Sequence, residues 1–83
     1  MNNVGVKVLL RDGAEDIYED IPGGMGKSHF FVQGEEGSLS VYVASHTDGV
    51  VVGHPGFVAL YAAGGWVRAL GTMHTRPPAD LNF

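Results

Sequence analysis

The sequence predicts an all-β domain, a small antiparallel meander rolled into a barrel or folded into a sandwich, with about six or seven short strands. Three observations carry this expectation. Several short runs alternate apolar and polar residues with period two, as a strand with one buried face does. Glycine, present 13 times, recurs between those runs in Asp-Gly, Gly-Gly and similar pairs suited to tight turns. The densest apolar stretch, Phe57 to Leu70, holds the single Trp of the chain and is split by Gly64-Gly65. A helix there would carry both glycines in its interior at roughly 0.8–1 kcal/mol each relative to alanine. Two strands are therefore expected, Phe57–Ala62 and Trp66–Leu70, paired as a closing hairpin about the two glycines.

The elements before that hairpin follow in order. Val4, Val6, Val8 and Leu10 alternate with Gly5, Lys7, Leu9 and Arg11, the clearest strand of the chain. Asp12-Gly13 suits a type I′ turn, and Glu15 to Ile21 resumes as a strand whose Ile17, Glu19 and Ile21 share one face and Asp16, Tyr18 and Asp20 the other. So many acids suit a sheet edge, where charge discourages pairing with other chains. Pro22 to Gly26 is a loop, because neither a helix nor a central strand tolerates Pro-Gly-Gly. Ser28–Gln33 is a third strand with an aromatic residue on each face. Gly34 to Gly37 turns the chain into Leu39–Ala44, a second clear half-buried strand. His46 to Gly49 is the next turn, Val50–Val52 a short strand, and Gly53 to Gly56 the lead into the hairpin. Residues 1–75 then form one domain. The segment 76–83 has paired prolines and no periodicity, and is expected as an extended tail.

Size and charge narrow the function classes. A domain of 83 residues buries only about 60% of the surface of its unfolded chain. No cysteine staples it, and the four histidines are scattered, so strand packing or self-association has to supply stability. A homodimer is expected. Net charge is −4, and Lys7, Arg11, Lys27, Arg68 and Arg76 are dispersed, which argues against a nucleic-acid partner. Apolar runs are broken well short of the ~20 residues a membrane span needs, so no membrane partner is expected. Met1-Asn2-Asn3 lacks the basic and apolar regions of a signal peptide, and the expected location is the cytoplasm.

Candidate chemistry is sparse. Gly23 to Ser28 ends in Gly-Lys-Ser like a phosphate-binding loop, but Ile21 stands where the first glycine of that pattern belongs, and strand rather than helix follows. His29, His46, His54 and His74 lack ligand spacing with Cys or Glu, and the acids Glu15, Asp16, Glu19 and Asp20 alternate between two strand faces. No nucleophile elbow appears, and so small a β domain has little room for a water-excluding pocket beside its core. The expectation is a protein that is not an enzyme, with no catalytic residue, no cofactor and no metal. Aromatic residues point elsewhere: Tyr42, Phe57, Tyr61 and Trp66 lie on strands and cannot all enter one thin core, so one or two should reach the surface as interaction anchors.

Four motifs carry a resemblance: the strand ending in Asp-Gly (Val6 to Gly13), the Tyr-acid strand (Ile17 to Asp20), the Gly-Ser-Leu-x-Val strand (Gly37 to Val41) and the Val-x-Leu-Tyr-Ala-x-Gly-x-Trp segment (Val58 to Trp66). In this order they resemble short uncharacterised all-β proteins of actinobacteria and their phages. The resemblance implies an antiparallel β fold and a phage origin, with host cytoplasm as the location, and brings no activity or catalytic residue with it. Asp48 to Gly56 is longer than that pattern. The expected function is a non-enzymatic protein-interaction module, a phage accessory protein acting on a host protein or on itself through an edge strand and the Tyr61/Trp66 surface. A ligand- or nucleotide-binding β-barrel using Gly23 to Ser28 is the alternative, and mimicry of an acidic polymer a third reading.

Overall fold

In a computed structural model, which describes residues 4–34 and 36–75, the chain is all-β, with strands β1 (Val4–Leu10), β2 (Glu15–Glu19), β3 (Met25–Gln33), β4 (Leu39–Thr47), β5 (Val50–Tyr61), β6 (Trp66–Gly71) and β7 (Met73–His74). The tail expected at 76–83 lies outside the described residues. The strands form two sheets, ordered β2-β1-β6 and β5-β4-β3-β7. Neither closes on itself, so the architecture is sandwich-like rather than a barrel. All pairings are antiparallel except the short β3/β7 pair, which is parallel.

Between the sheets lies the first apolar cluster. Val6 and Val8 of β1 face Phe31 of β3 and Leu39 and Val41 of β4, and Leu10, Tyr18, Ala59, Tyr61, Trp66 and Ala69 pack around them. The even-numbered residues of β1 thus point inward as the alternation predicts. Val4 is the exception at 46% exposed, because a bulge between Val4 and Val6 breaks the register with β2. β3 and β4 are buried on both faces. Phe30, Val32, Tyr42 and Ala44 form a second cluster on the side of the larger sheet turned away from β1, so β4 is not the half-buried strand its alternation suggests.

The expected closing hairpin does not form. β5 pairs with β4, and β6 crosses to the other sheet to pair with β1. The reason is in the turn. Gly64 has φ +85° while Ala63 and Gly65 do not share its sign, and the Gly65 N–H donates to Ala62 O at 3.0 Å. Positive φ at the third residue alone is type II geometry, which splays flanking strands instead of matching their twist. Trp66 Nε1–H to Gly37 O at 2.9 Å and Arg11 Nε–H to Gly64 O at 2.5 Å fix the crossing. By contrast Asp48 (φ +51°) and Gly49 (φ +81°) both take positive φ, and this type I′ pair closes the β4/β5 hairpin with Thr47 opposite Val50.

Three smaller corrections follow. At Asp12-Gly13 only Gly13 has positive φ, and Gly13 N–H donates to Leu10 O at 3.0 Å, so a type I turn followed by a left-handed glycine replaces the type I′ turn. The Asp12 carboxylate accepts from Ala14 N–H at 2.9 Å and holds it. Val50–Val52 and Phe57–Ala62 are not separate strands: β5 runs on through Gly53 to Pro55, which bulge out where β4 offers Ala44 alone between Val43 and Ser45, and Gly56 is back in register opposite Val43. β3 begins three residues before Ser28, at Met25, because Ile21 and Lys27 bridge by reciprocal backbone bonds of 2.8 and 2.9 Å.

β2 lies at a sheet edge, as its acids suggest. Its acidic and aromatic face turns inward. Ile17, opposite Lys7 and so in one row with Leu70, is 51% exposed on the outer side, where Lys7 Nζ and Glu15 form an ion pair of 2.6 Å.

Candidate functional site: an aromatic sheet face, its groove and an open edge

The outward face of the larger sheet gathers the features of interest. Register places Phe30 opposite Tyr42 and Tyr42 opposite Phe57, while His74 stands opposite Val32 on the far side of β3. The outcome is a row of rings across all four strands: His74 stacks on Phe30 at 4.1 Å, Phe30 on Tyr42 at 5.4 Å, and Phe57 meets Tyr42 edge-on at 5.8 Å. Such pairs contribute about 0.5–1.5 kcal/mol each beyond area burial.

Beside this row lies a groove of about 490 Å³. Phe30, Ala44, Thr72, His74, Val51 and Pro55 line it; Pro55 is there because the β5 bulge lifts it out of the ladder. Ser28, His46, His29 and Asp20 complete it, and no lysine or arginine lines it among the described residues. His46 Nε2 is shut off from solvent with no hydrogen-bond partner.

Asp20 closes the edge of β3. Its Oδ1 accepts from the His29 backbone N–H at 2.7 Å and lies 3.2 Å from His29 Nδ1. The neighbouring edge amides are matched in the same way, Lys27 N–H by Ile21 O and Phe31 N–H by Thr72 O, both at 2.9 Å. A side chain thus stands in for a strand between two stretches of backbone. Gly5 makes room for it, since a Cβ there would sit 2.1 Å from Asp20 Oδ1.

A second polar group sits between the sheets. The Tyr61 hydroxyl donates to Asp16 Oδ2 at 2.6 Å and shares a short hydrogen bond with the Tyr18 hydroxyl. Desolvation, then the bonds to Asp16 and Tyr18, push the Tyr61 phenol above its ordinary value near 10. Tyr61 and Trp66 are both half-buried against the inter-sheet cluster and on different sheets, so they do not form one outward surface. Tyr42 is buried at 7% exposure and Phe57 is 51% exposed, so of the four aromatic candidates Phe57 is the one on display.

Gly26, Lys27 and Ser28 lie in β3 as extended strand, paired with β4 and bridged to Ile21, and not as a loop around an anion. Among the described residues no three His, Asp or Glu side chains gather in a way that holds a metal ion, and no helix is long and apolar enough to cross a membrane. His46, His74 and Asp20 are legible in the sequence one by one, but their meeting at one groove is not, because each acquires its place through register; the shared even numbering of Phe30, Val32, Tyr42 and Ala44 was the available signal.

Comparison with protein-family models, with curated proteins and with solved structures gives no match for this chain.

Proposed function

We propose that this protein is a non-enzymatic interaction module that self-associates through the edge of β5 that no described strand pairs. The observation that carries the reading is the contrast among the four sheet edges. β2 bears Glu15, Asp16 and Glu19, β6 bears Arg68, and β7 has two residues, whereas β5 runs for 12 residues without a charged side chain. Val50, Val51, Val52, Phe57 and Leu60 on it are all more than 40% exposed. Natural sheets guard such edges with charge, proline or bulges, and here Pro55 and the two bulges, the second at Val58, interrupt the middle while Val50–Val52 and Ala59–Tyr61 stay in regular register and can add a strand.

Antiparallel addition of a second β5 about a two-fold axis brings no like charges together and continues the sheet. A cytoplasmic accessory role acting on a host protein, in keeping with the phage origin that the resemblance implies, is the wider form of the same reading, with a foreign strand in place of the second copy. Sedimentation velocity across a concentration series tests it. The wild type is expected to shift from monomer to dimer, and Leu60→Lys to remain a folded monomer; Val67→Lys, an equally exposed site on β6, is expected to dimerise normally. A wild type that stays monomeric, or two variants that behave alike, overturns the proposal.

A further inference from the structure

The bulges of β5 determine not only that a second copy can dock on its edge but in which register, a reading that rests on the self-association proposed above. We propose that two β5 strands pair antiparallel about a two-fold axis between Pro55 and Gly56. Val50–Val52 of each copy then lies against Ala59–Tyr61 of the other, with Val51 opposite the partner's Leu60.

The phase of the backbone favours this register. The two-residue turn at Asp48-Gly49 makes Thr47 and Val50 a hydrogen-bonded pair, so Val50 and Val52 turn their N–H and C=O groups toward β4 and Val51 turns its own outward. Along β4 the odd positions keep facing β5, which puts Ala59 and Tyr61, opposite Val41 and Leu39, in the inward set and Leu60 in the outward one. On an unbroken strand Val51 and Leu60, nine positions apart, would present opposite edges. Here Leu39 to Thr47 takes eight steps on β4 while their partners Tyr61 and Val50 are eleven steps apart on β5, and the three extra residues reverse the phase. Val51 and Leu60 therefore both offer a donor and an acceptor to the open edge, as a hydrogen-bonded antiparallel pair requires.

A second copy matches both stretches at once, because the interval between them is the same on each side. Setting Val51 on Val51, or Leu60 on Leu60, also satisfies the phase but engages a single stretch; the proposed register engages both, and does so twice. Side chains agree with it. Val51 lines the groove and Leu60, opposite Ser40, has the parity of Tyr42, so both stand on the outward face, where each, at 53% and 63% exposed, covers its counterpart on the partner. Pro55, which has no N–H to give, also lines that face, so the bulged middle rises from the sheet and leaves the two stretches to make the ladder.

Disulfide trapping tests the register, because the chain has no cysteine of its own. Val51→Cys and Leu60→Cys are oxidised separately and as an equimolar mixture and read on non-reducing gels, with Val67→Cys on β6 as the background for chance encounters. Opposed residues have Cα atoms about 5.5 Å apart, inside disulfide range, whereas Val51 and the partner's Val51, or Leu60 and the partner's Leu60, stand roughly 20–30 Å apart in this register. The mixture is expected to yield crosslinked dimer at least about fivefold above the background, and each variant alone to stay at it. In sedimentation velocity the double variant Val51→Glu/Leu60→Lys, which sets opposite charges face to face twice, is expected to associate at least about fivefold more tightly than Leu60→Lys, with circular dichroism reporting that each variant is folded. Self-crosslinking of either cysteine variant above background, a mixture that gives none, or a folded double variant no tighter than Leu60→Lys, each while the wild type dimerises, overturns the register and leaves self-association standing. A wild type that stays monomeric removes both.

Discussion

The crossing of β6 to the smaller sheet makes Gly71 the most telling position in the chain. Its φ is +119°, and a Cβ built there would lie 2.0 Å from Gly5 O and 2.9 Å from Gly5 C, both backbone atoms of the adjoining β1. An L-residue held at positive φ costs about 1–3 kcal/mol. A contact that close to backbone cannot be relieved by a rotamer change, and overpacking of this kind adds about 1–3 kcal/mol more. Gly71→Ala is therefore expected to destabilise by about 2–6 kcal/mol, against a total that for a chain of 83 residues is on the order of 4–12 kcal/mol. Gly64→Ala is the matched control: its φ is +85°, but nothing lies within 4 Å of the added carbon, so the backbone cost alone is expected. Urea unfolding of both variants, followed by Trp66 fluorescence, measures the difference. If β5 and β6 paired with each other as a hairpin, Gly5 would not stand over Gly71 and the two variants would fall within about 0.5 kcal/mol of each other. That result refutes the two-sheet arrangement.

Tyr61→Phe removes the hydroxyl that joins Asp16 and Tyr18, and a loss of about 1–2 kcal/mol at neutral pH is expected in the same urea assay. Because the folded phenol titrates above its unfolded value near 10, its contribution is complete below pH 10 and drains away as pH rises beyond it. The wild type should lose stability more steeply than Tyr61→Phe in alkaline unfolding curves, by at most about 1.4 kcal/mol per pH unit, an upper bound because the ring is only half-buried. Equal slopes would show that the hydroxyl is not held as described. Asp20→Ala strips the acceptor from the His29 backbone N–H and should cost about 1–3 kcal/mol, with hydrogen exchange at the His29 amide accelerating before that of Phe31, which bonds to Thr72 O.

What the sequence reveals here is local, and what it hides is register. Val6 and Val8, or Leu39 and Val41, announce strands because each run alternates by itself. Phe57 to Leu70 is equally legible as two strands, yet whether the arms pair depends on turn geometry: Gly64-Gly65 permits a type I′ turn and a type II turn alike, and Trp66 to Gly37 O together with Arg11 to Gly64 O selects the second. Those partners are 29 and 53 residues away. β2 shows the same limit. Asp16 and Tyr18 look like a solvent face until Tyr61 arrives opposite, and Ile17 looks like core until Lys7 and Leu70 define its row as the outer one. The groove was least legible of all, since His46 and His74 are 28 residues apart and meet through β3, which pairs with the strand of each. Long-range contacts decide these features, and single-chain periodicity does not carry them.

The claim on which the functional reading rests is that β5 is open along one edge and receives a second strand. Hydrogen–deuterium exchange at two protein concentrations, one below and one above the onset of association, addresses it amide by amide. Slower exchange within the regular stretches Val50–Val52 and Ala59–Tyr61 at the higher concentration, with the amides of β2 and β6 unchanged, is the predicted pattern. Exchange in β5 that ignores concentration, or protection that appears on β2 instead, contradicts it.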